Sequence, residues 1–176
     1  MTQWAIPQPP EYLETDEFSR ILAALPLVSR HPLRDMLVLE TCFQTGGRIS
    51  EVLAIGPERV GTSSIILDNL KQHRKDGTTP VKECIVSPLL CQHLREYIKE
   101  NNILEETPVF KGNRDRSKPL GSLYIWRMVT RTAARLGIYK MKAGAKRFHP
   151  AWTHLIRHGS AMRILEETGS TELTQA

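Results

Sequence analysis

The chain has 176 residues, is 40% hydrophobic and carries a formal net charge of +5, which is enough to build the core of one globular domain. No run reaches the ~18 apolar residues of a membrane span and no basic-then-apolar leader opens the chain, so a cytoplasmic protein that does not enter membranes is expected. Cys42, Cys84 and Cys91 are odd in number and lack C-x-x-C spacing, which argues against a disulfide framework or zinc ribbon and predicts reduced core thiols.

The first predicted helix has Thr15 as its cap, Asp16 and Glu17 in its first turn and an apolar stripe of Ile21, Leu22 and Leu25 that stops at Pro26. Pro32 opens a second helix, running through Leu33, Met36, Leu37 and Phe43 to a glycine stop at Gly46-Gly47. A short helix is predicted across RISEVLAI. SSIILDN and VKECIVS, either side of the turn-forming KDGTTP, read as neighbouring β-strands. Pro88 starts a helix with Leu94, Tyr97 and Ile98 inward and Asn101-Asn102 as its stop, and residues 111–121 form a basic loop. Ser122 is expected to cap the next helix, with Leu123, Trp126, Val129 and Ala133 toward the core. Arg127, Arg131 and Arg135, four residues apart, align on its opposite face. After a basic connection over residues 140–150, a last helix begins near Trp152 or Thr153 and runs to Gly169. The expectation is one mainly α domain with a small antiparallel β-sheet.

Charge is segregated along the chain. Residues 1–62 hold 5 Lys and Arg against 8 acids, whereas residues 111–163 hold 13 against the single acid Asp115, a local charge of +12. A folded segment of that density repels itself unless a polyanion compensates it, and a phosphate backbone is the usual compensator.

Phosphate-loop, dinucleotide-loop, H-E-x-x-H and G-x-S-x-G motifs are absent, so nucleotide hydrolysis, dehydrogenation and serine esterase chemistry lack their usual signatures. His154 and His158, with His149 as a third ligand, have the spacing to share a metal. No carboxylate or cysteine is local and Arg157 between them would oppose a cation, so no metal and no cofactor are expected. The sequence TGGRISE instead puts Arg48 at a helix start, where free N–H groups and a forked guanidinium suit a phosphate, with Glu51 three residues on to steady it. His154 and Arg157 lie at i and i+3 on a helix far downstream. If the two segments meet, they make a phosphoryl-transfer site that needs no metal.

Thr45-Gly46-Gly47-Arg48-Ile49-Ser50-Glu51 resembles the T-G-x-R-x-x-E box of the tyrosine recombinases, the phage-integrase family, and His154 to His158 resembles its H-x-x-R-H box, with Ile156 where leucine is usual. The family's β-hairpin lysine is matched by Lys71, with Lys75 and Lys82 as alternatives. The resemblance implies a catalytic domain over residues 1–176 without the family's N-terminal core-binding domain. It also implies that the chain is truncated at its C-terminus, because the nucleophilic tyrosine should follow the second box. Tyr12, Tyr97, Tyr124 and Tyr139 all precede that box.

The implied activity is breaking and rejoining of DNA strands through a 3′-phosphotyrosine. Arg48 and Arg157 would hold the non-bridging oxygens, Lys71 would protonate the leaving 5′-oxygen and His154 would manage the tyrosine proton, with Glu51 and His158 in support. Lys75, Arg127, Arg131 and Arg135 would face DNA phosphates. The implied partners are double-stranded DNA and, for the full-length protein, a homo-tetramer on DNA. The alternative expectation is a non-catalytic DNA-binding relative that keeps the scaffold without the nucleophile.

Overall fold

A computed structural model describes residues 12–70, 79–112, 115–138 and 152–169. Helix α1 spans Thr15–Val28 and buries Phe18, Ile21 and Leu25. Its cap is Glu14, one residue earlier than expected, whose backbone N–H donates to the Glu17 carboxylate at 3.0 Å. The helix also runs past Pro26. A proline in the last turn forfeits one backbone bond, and the end is still closed by Ser29 N–H donating to the Leu25 carbonyl at 2.9 Å.

Helix α2, Pro32–Thr45, is the central element: it packs against α1, against the short helix α3 (Ile49–Leu53), against α4 (Pro88–Glu100) and against α6 (Trp152–Thr168). Leu37, Val38, Leu39, Cys42 and Phe43 are buried on it, and the Phe43 ring stacks on Phe18 of α1 with centroids 4.2 Å apart. Strands β1, Ser64–Asp68, and β2, Val81–Ile85, pair antiparallel as expected, with Ile65 opposite Cys84 and Leu67 opposite Lys82. Their alternation buries Ile65 and Leu67, leaves Val81, Glu83 and Ile85 exposed, and half-covers Lys82 and Cys84. Cys84 is therefore not a core thiol, whereas Cys42 and Cys91 are.

Helix α4 is capped by the Ser87 hydroxyl, which accepts from Leu90 N–H at 3.2 Å, and buries Leu90, Cys91 and Leu94. Helix α5, Ser122–Arg135, follows Gly121 with no side-chain cap, so Ser122 is its first residue and not its cap. Its core face is Ile125, Met128, Val129, Thr132 and Ala133. Leu123 is 54% exposed and Trp126 only partly covered. The predicted stripe was displaced because Thr132 reads as polar. Its hydroxyl donates to the Met128 carbonyl at 2.9 Å, which satisfies it inside the core and completes an i, i+3, i+4, i+7 face.

A buried polar group ties the α1–α2 turn to the start of α5. The fully buried Asp35 carboxylate accepts from Arg34 Nε at 3.0 Å, from the Ser29 hydroxyl at 2.5 Å and from the Tyr124 hydroxyl at 2.7 Å. Burial, and then the bond to Asp35, push the Tyr124 phenol up from its ordinary pKa.

Candidate active site

Each residue of the TGGRISE stretch has a local reason for its identity. The Thr45 hydroxyl donates back to the Thr41 carbonyl at 2.6 Å and accepts from Gly47 N–H at 3.0 Å, closing the end of α2. Gly46 ends the helix at φ +60°, the left-handed conformation that costs glycine least. Gly47 lies so near β1 that a Cβ there would come within 2.5 Å of the Leu67 side chain. Arg48 is then delivered to the N-cap of α3 in extended conformation. Glu51, 1% exposed, takes two of its donors: the backbone N–H at 2.9 Å and Nη1 at 2.7 Å. The Arg48 side chain stays about one-third exposed (32%), so the guanidinium is held at one edge and open at the other.

The thiols around Glu51 locate its carboxylate between helix and sheet. Burial, and after it the Glu51 charge, push the Cys42 thiol on α2 up to about 12. Cys84 on β2 is raised first by burial, is lowered by the Lys82 ammonium, and is raised again by Glu51 and Glu83. Lys82 and Cys84 stand opposite Leu67 and Ile65 on one face of the sheet, and Leu67 is the side chain nearest the Cβ position of Gly47, next to Arg48.

Helix α6 brings the second segment alongside. Leu155 and Ile156 are buried, while His154 and His158 are exposed and Arg157 is half-exposed. The two imidazoles meet edge to face with centroids 4.4 Å apart. Two small residues that the sequence reading passed over set the approach of this helix. A Cβ on Gly159 would lie 2.2 Å from the Leu13 carbonyl oxygen, and Leu13 N–H donates to the Leu155 carbonyl at 3.3 Å, so only glycine lets α6 pack this closely. Ser160, three residues beyond Arg157, is buried with its hydroxyl oxygen 3.4 Å from the Cβ position of Gly46, two residues before Arg48. The end of α2 is therefore packed on α6 just beyond the His-x-x-Arg-His turn.

Lys71, Lys75 and His149 lie outside the described residues. Arg127, Arg131 and Arg135 are exposed along α5 as expected. They line a cleft of about 450 Å³ with Arg30 and His31 of the α1–α2 turn, and neither Arg48 nor α6 lines it. Among the described residues no group of three or more His, Cys, Asp or Glu is placed to hold a metal, and no helix is long and apolar enough to cross a membrane.

The model of the phage integrase family matches residues 11–176, nearly the whole chain. The chain belongs to that family. Among curated relatives, the tyrosine recombinase XerD of Staphylococcus saprophyticus is 26% identical over 163 residues, covering 90% of this chain and 53% of the relative. XerD of Staphylococcus aureus strain Mu50 is 25% identical over 162 residues with the same coverage. This chain spans about half the length of these integrase-family relatives. Among solved structures, the XerH site-specific recombinase bound to palindromic difH substrate, a post-cleavage complex, superposes with a TM-score of 0.72 at 16% identity, over 99% of this chain and 47% of that one. The catalytic domain of bacteriophage HP1 integrase gives a TM-score of 0.60 at 19% identity, over 93% and 77%. The mainly helical fold with its two-stranded sheet is thus the fold of tyrosine-recombinase catalytic domains.

Proposed function

We propose that this chain is the catalytic domain of a site-specific recombinase that breaks and rejoins duplex DNA through a 3′-phosphotyrosine, the full-length protein acting as a homo-tetramer on DNA. The observation that carries the reading is the partly exposed Arg48 side chain, fixed by buried Glu51, just after the end of α2 that packs on the helix bearing His154 and Arg157. Two guanidinium groups can hold the non-bridging oxygens of a scissile phosphate and stabilise the charge that grows as the phosphorus becomes five-coordinate. The tyrosine oxygen forms the new bond to phosphorus and the bond to the 5′-oxygen breaks. His154 takes up the phenolic proton, and the hairpin lysine, Lys71, delivers a proton to the leaving oxygen. Lys75 and Lys82, the latter opposite Leu67 on β2, are the alternative general acids. Among the chain's own tyrosines, Tyr124 is committed to the core, its hydroxyl donating to the buried Asp35 carboxylate at 2.7 Å, and burial raises the Tyr97 phenol. The reacting tyrosine is assigned to sequence beyond the second box and outside this chain.

The test is a suicide DNA substrate offered to the protein translated from the full reading frame. A denaturant-resistant protein–DNA adduct should form without added metal, and the 176-residue chain alone should form none. Arg48→Ala or Arg157→Ala should slow adduct formation about 100-fold or more, the scale for deleting a donor to a transition-state charge. A 5′-bridging sulfur, which leaves without a proton, should rescue Lys71→Ala. Rescue of Lys82→Ala instead would reassign the acid. Binding without any adduct would favour a non-catalytic relative, and cleavage that requires magnesium would refute the mechanism.

A further inference from the structure

We propose that His154 and His158 form a chelating site for a late first-row transition metal ion of the nickel or copper class, and that an ion held there reversibly blocks strand cleavage by taking the lone pair of His154. The site stands on the side chains of α6 alone, whereas the block rests on the recombinase reading.

The two imidazoles lie four residues apart on α6, both exposed, with ring centroids 4.4 Å apart and ring planes at 83°. That spacing is the one by which two helical histidines share a single ion in H-E-x-x-H metalloenzymes. The separation selects the geometry. An ion about 2.1 Å from one nitrogen of each ring lies about 3.2 Å from each ring centre, so cis ligands at about 90° put the centres about 4.5 Å apart and tetrahedral ligands about 5.2 Å. The observed 4.4 Å matches the cis positions of an octahedral or square-planar ion, the geometries of nickel and copper, and not the tetrahedron of zinc.

Among the described residues no third His, Cys, Asp or Glu joins the pair, so water completes the shell and the ion stays exchangeable. Arg157 lies about 60° round the helix axis from His154 and about 100° from His158, outside the arc of about 40° that the pair covers. Solvent at this face screens its charge. The thiols do not compete, because ligation needs the thiolate and burial raises Cys42 to about 12 and raises Cys84 and Cys91 as well. The other described histidines, His31 and His93, have no second histidine within four residues. The consequence for catalysis follows from the imidazole itself. A neutral ring has one lone pair, and once that is given to a metal the other nitrogen carries the N–H, so no acceptor remains for the phenolic proton.

Nickel chloride is the probe. Calorimetric titration of the 176-residue chain near neutral pH should show one dominant site. His154→Gln or His158→Gln, both at exposed positions, should each weaken it at least about 10-fold, because the second bond of a chelate is intramolecular. Unchanged affinity in folded His158→Gln would place the ion elsewhere and overturn the site. In the longer protein, nickel should slow adduct formation on the suicide substrate and EDTA should restore it, whereas magnesium, which takes oxygen ligands, should do neither. For His158→Gln the ratio of rates with and without nickel should return close to one, whatever the variant's own rate. Inhibition that survives in that variant, or equal inhibition by magnesium, would overturn the block. A longer protein that forms no adduct in the absence of metal would remove the recombinase reading, while the titration would still decide the site.

Discussion

Glu51 is the residue whose replacement tests the architecture of the site most directly. Its carboxylate is 1% exposed and accepts from the Arg48 backbone at 2.9 Å and from Arg48 Nη1 at 2.7 Å. In Glu51→Gln one oxygen becomes an NH2 group that must point a donor at a donor, and the guanidinium loses its counter-charge. Breaking a fully buried pair costs about 3–5 kcal/mol. Because Arg48 is about one-third exposed, water recovers part of that, and a loss of about 2–3 kcal/mol is expected, in line with charge-assisted hydrogen bonds. For a domain of this size that is a fall in Tm of roughly 5–10 °C. Differential scanning fluorimetry reads the stability change, and suicide-substrate cleavage by the longer protein reads the loss of a fixed Arg48. Arg48→Ala should also destabilise, because it leaves the Glu51 carboxylate buried without its guanidinium donor, with only the backbone N–H of residue 48 still bonded to it. The double variant Arg48→Ala/Glu51→Gln should therefore lose less than the sum of the two single losses. Strict additivity, or a Glu51→Gln protein with unchanged Tm and unchanged cleavage, would refute the claim that this pair organises the site.

Gly159→Ala should push α6 off the Leu13 backbone, costing about 1–3 kcal/mol by overpacking and slowing cleavage through displaced His154 and Arg157. An unchanged melting curve would contradict it. Native-state alkylation at pH 8 followed by peptide mass spectrometry should label Cys84 first, since the Cys42 thiol is buried and raised to about 12. Early labelling of Cys42 would place it elsewhere. Burial raises the Glu40 pKa, with His93 lowering it less, so the folded state favours its protonated form. Its contribution is then most favourable below the unfolded-state value and is lost as pH rises through the folded one. Glu40→Gln should accordingly raise Tm at pH 7 relative to the parent and lose that advantage near pH 4. An advantage independent of pH would show that charge burial is not the cause.

The elements near the candidate site were legible in the sequence because their signals are local. Pro32 and Pro88 mark helix starts by their fixed φ, Gly46 marks a stop by its left-handed backbone, and the alternation in SIILD and VKECI marks two strands. The spacing of Arg48 and Glu51 likewise places a carboxylate one helical turn from the guanidinium it holds. Local signals failed where a distant partner changes what a residue costs. Thr132 enters the core because the Met128 carbonyl satisfies it, and Pro26 stays helical because the chain ends its helix within two residues.

What only the tertiary structure decided is which remote segments touch. Gly159 carries no sequence signal stronger than any other glycine inside a helix, yet the Leu13 backbone occupies the space its Cβ would need. Ser160 against Gly46 joins two segments more than one hundred residues apart. Asp35 gathers Ser29, Arg34 and Tyr124 from three parts of the chain. Arg30 and His31 became neighbours of the α5 arginines in the same way. Periodicity and capping report the energy of one helix or strand with its own residues. The contacts between elements depend on how closely two backbones can approach, and that is fixed by side-chain volume on both surfaces at once.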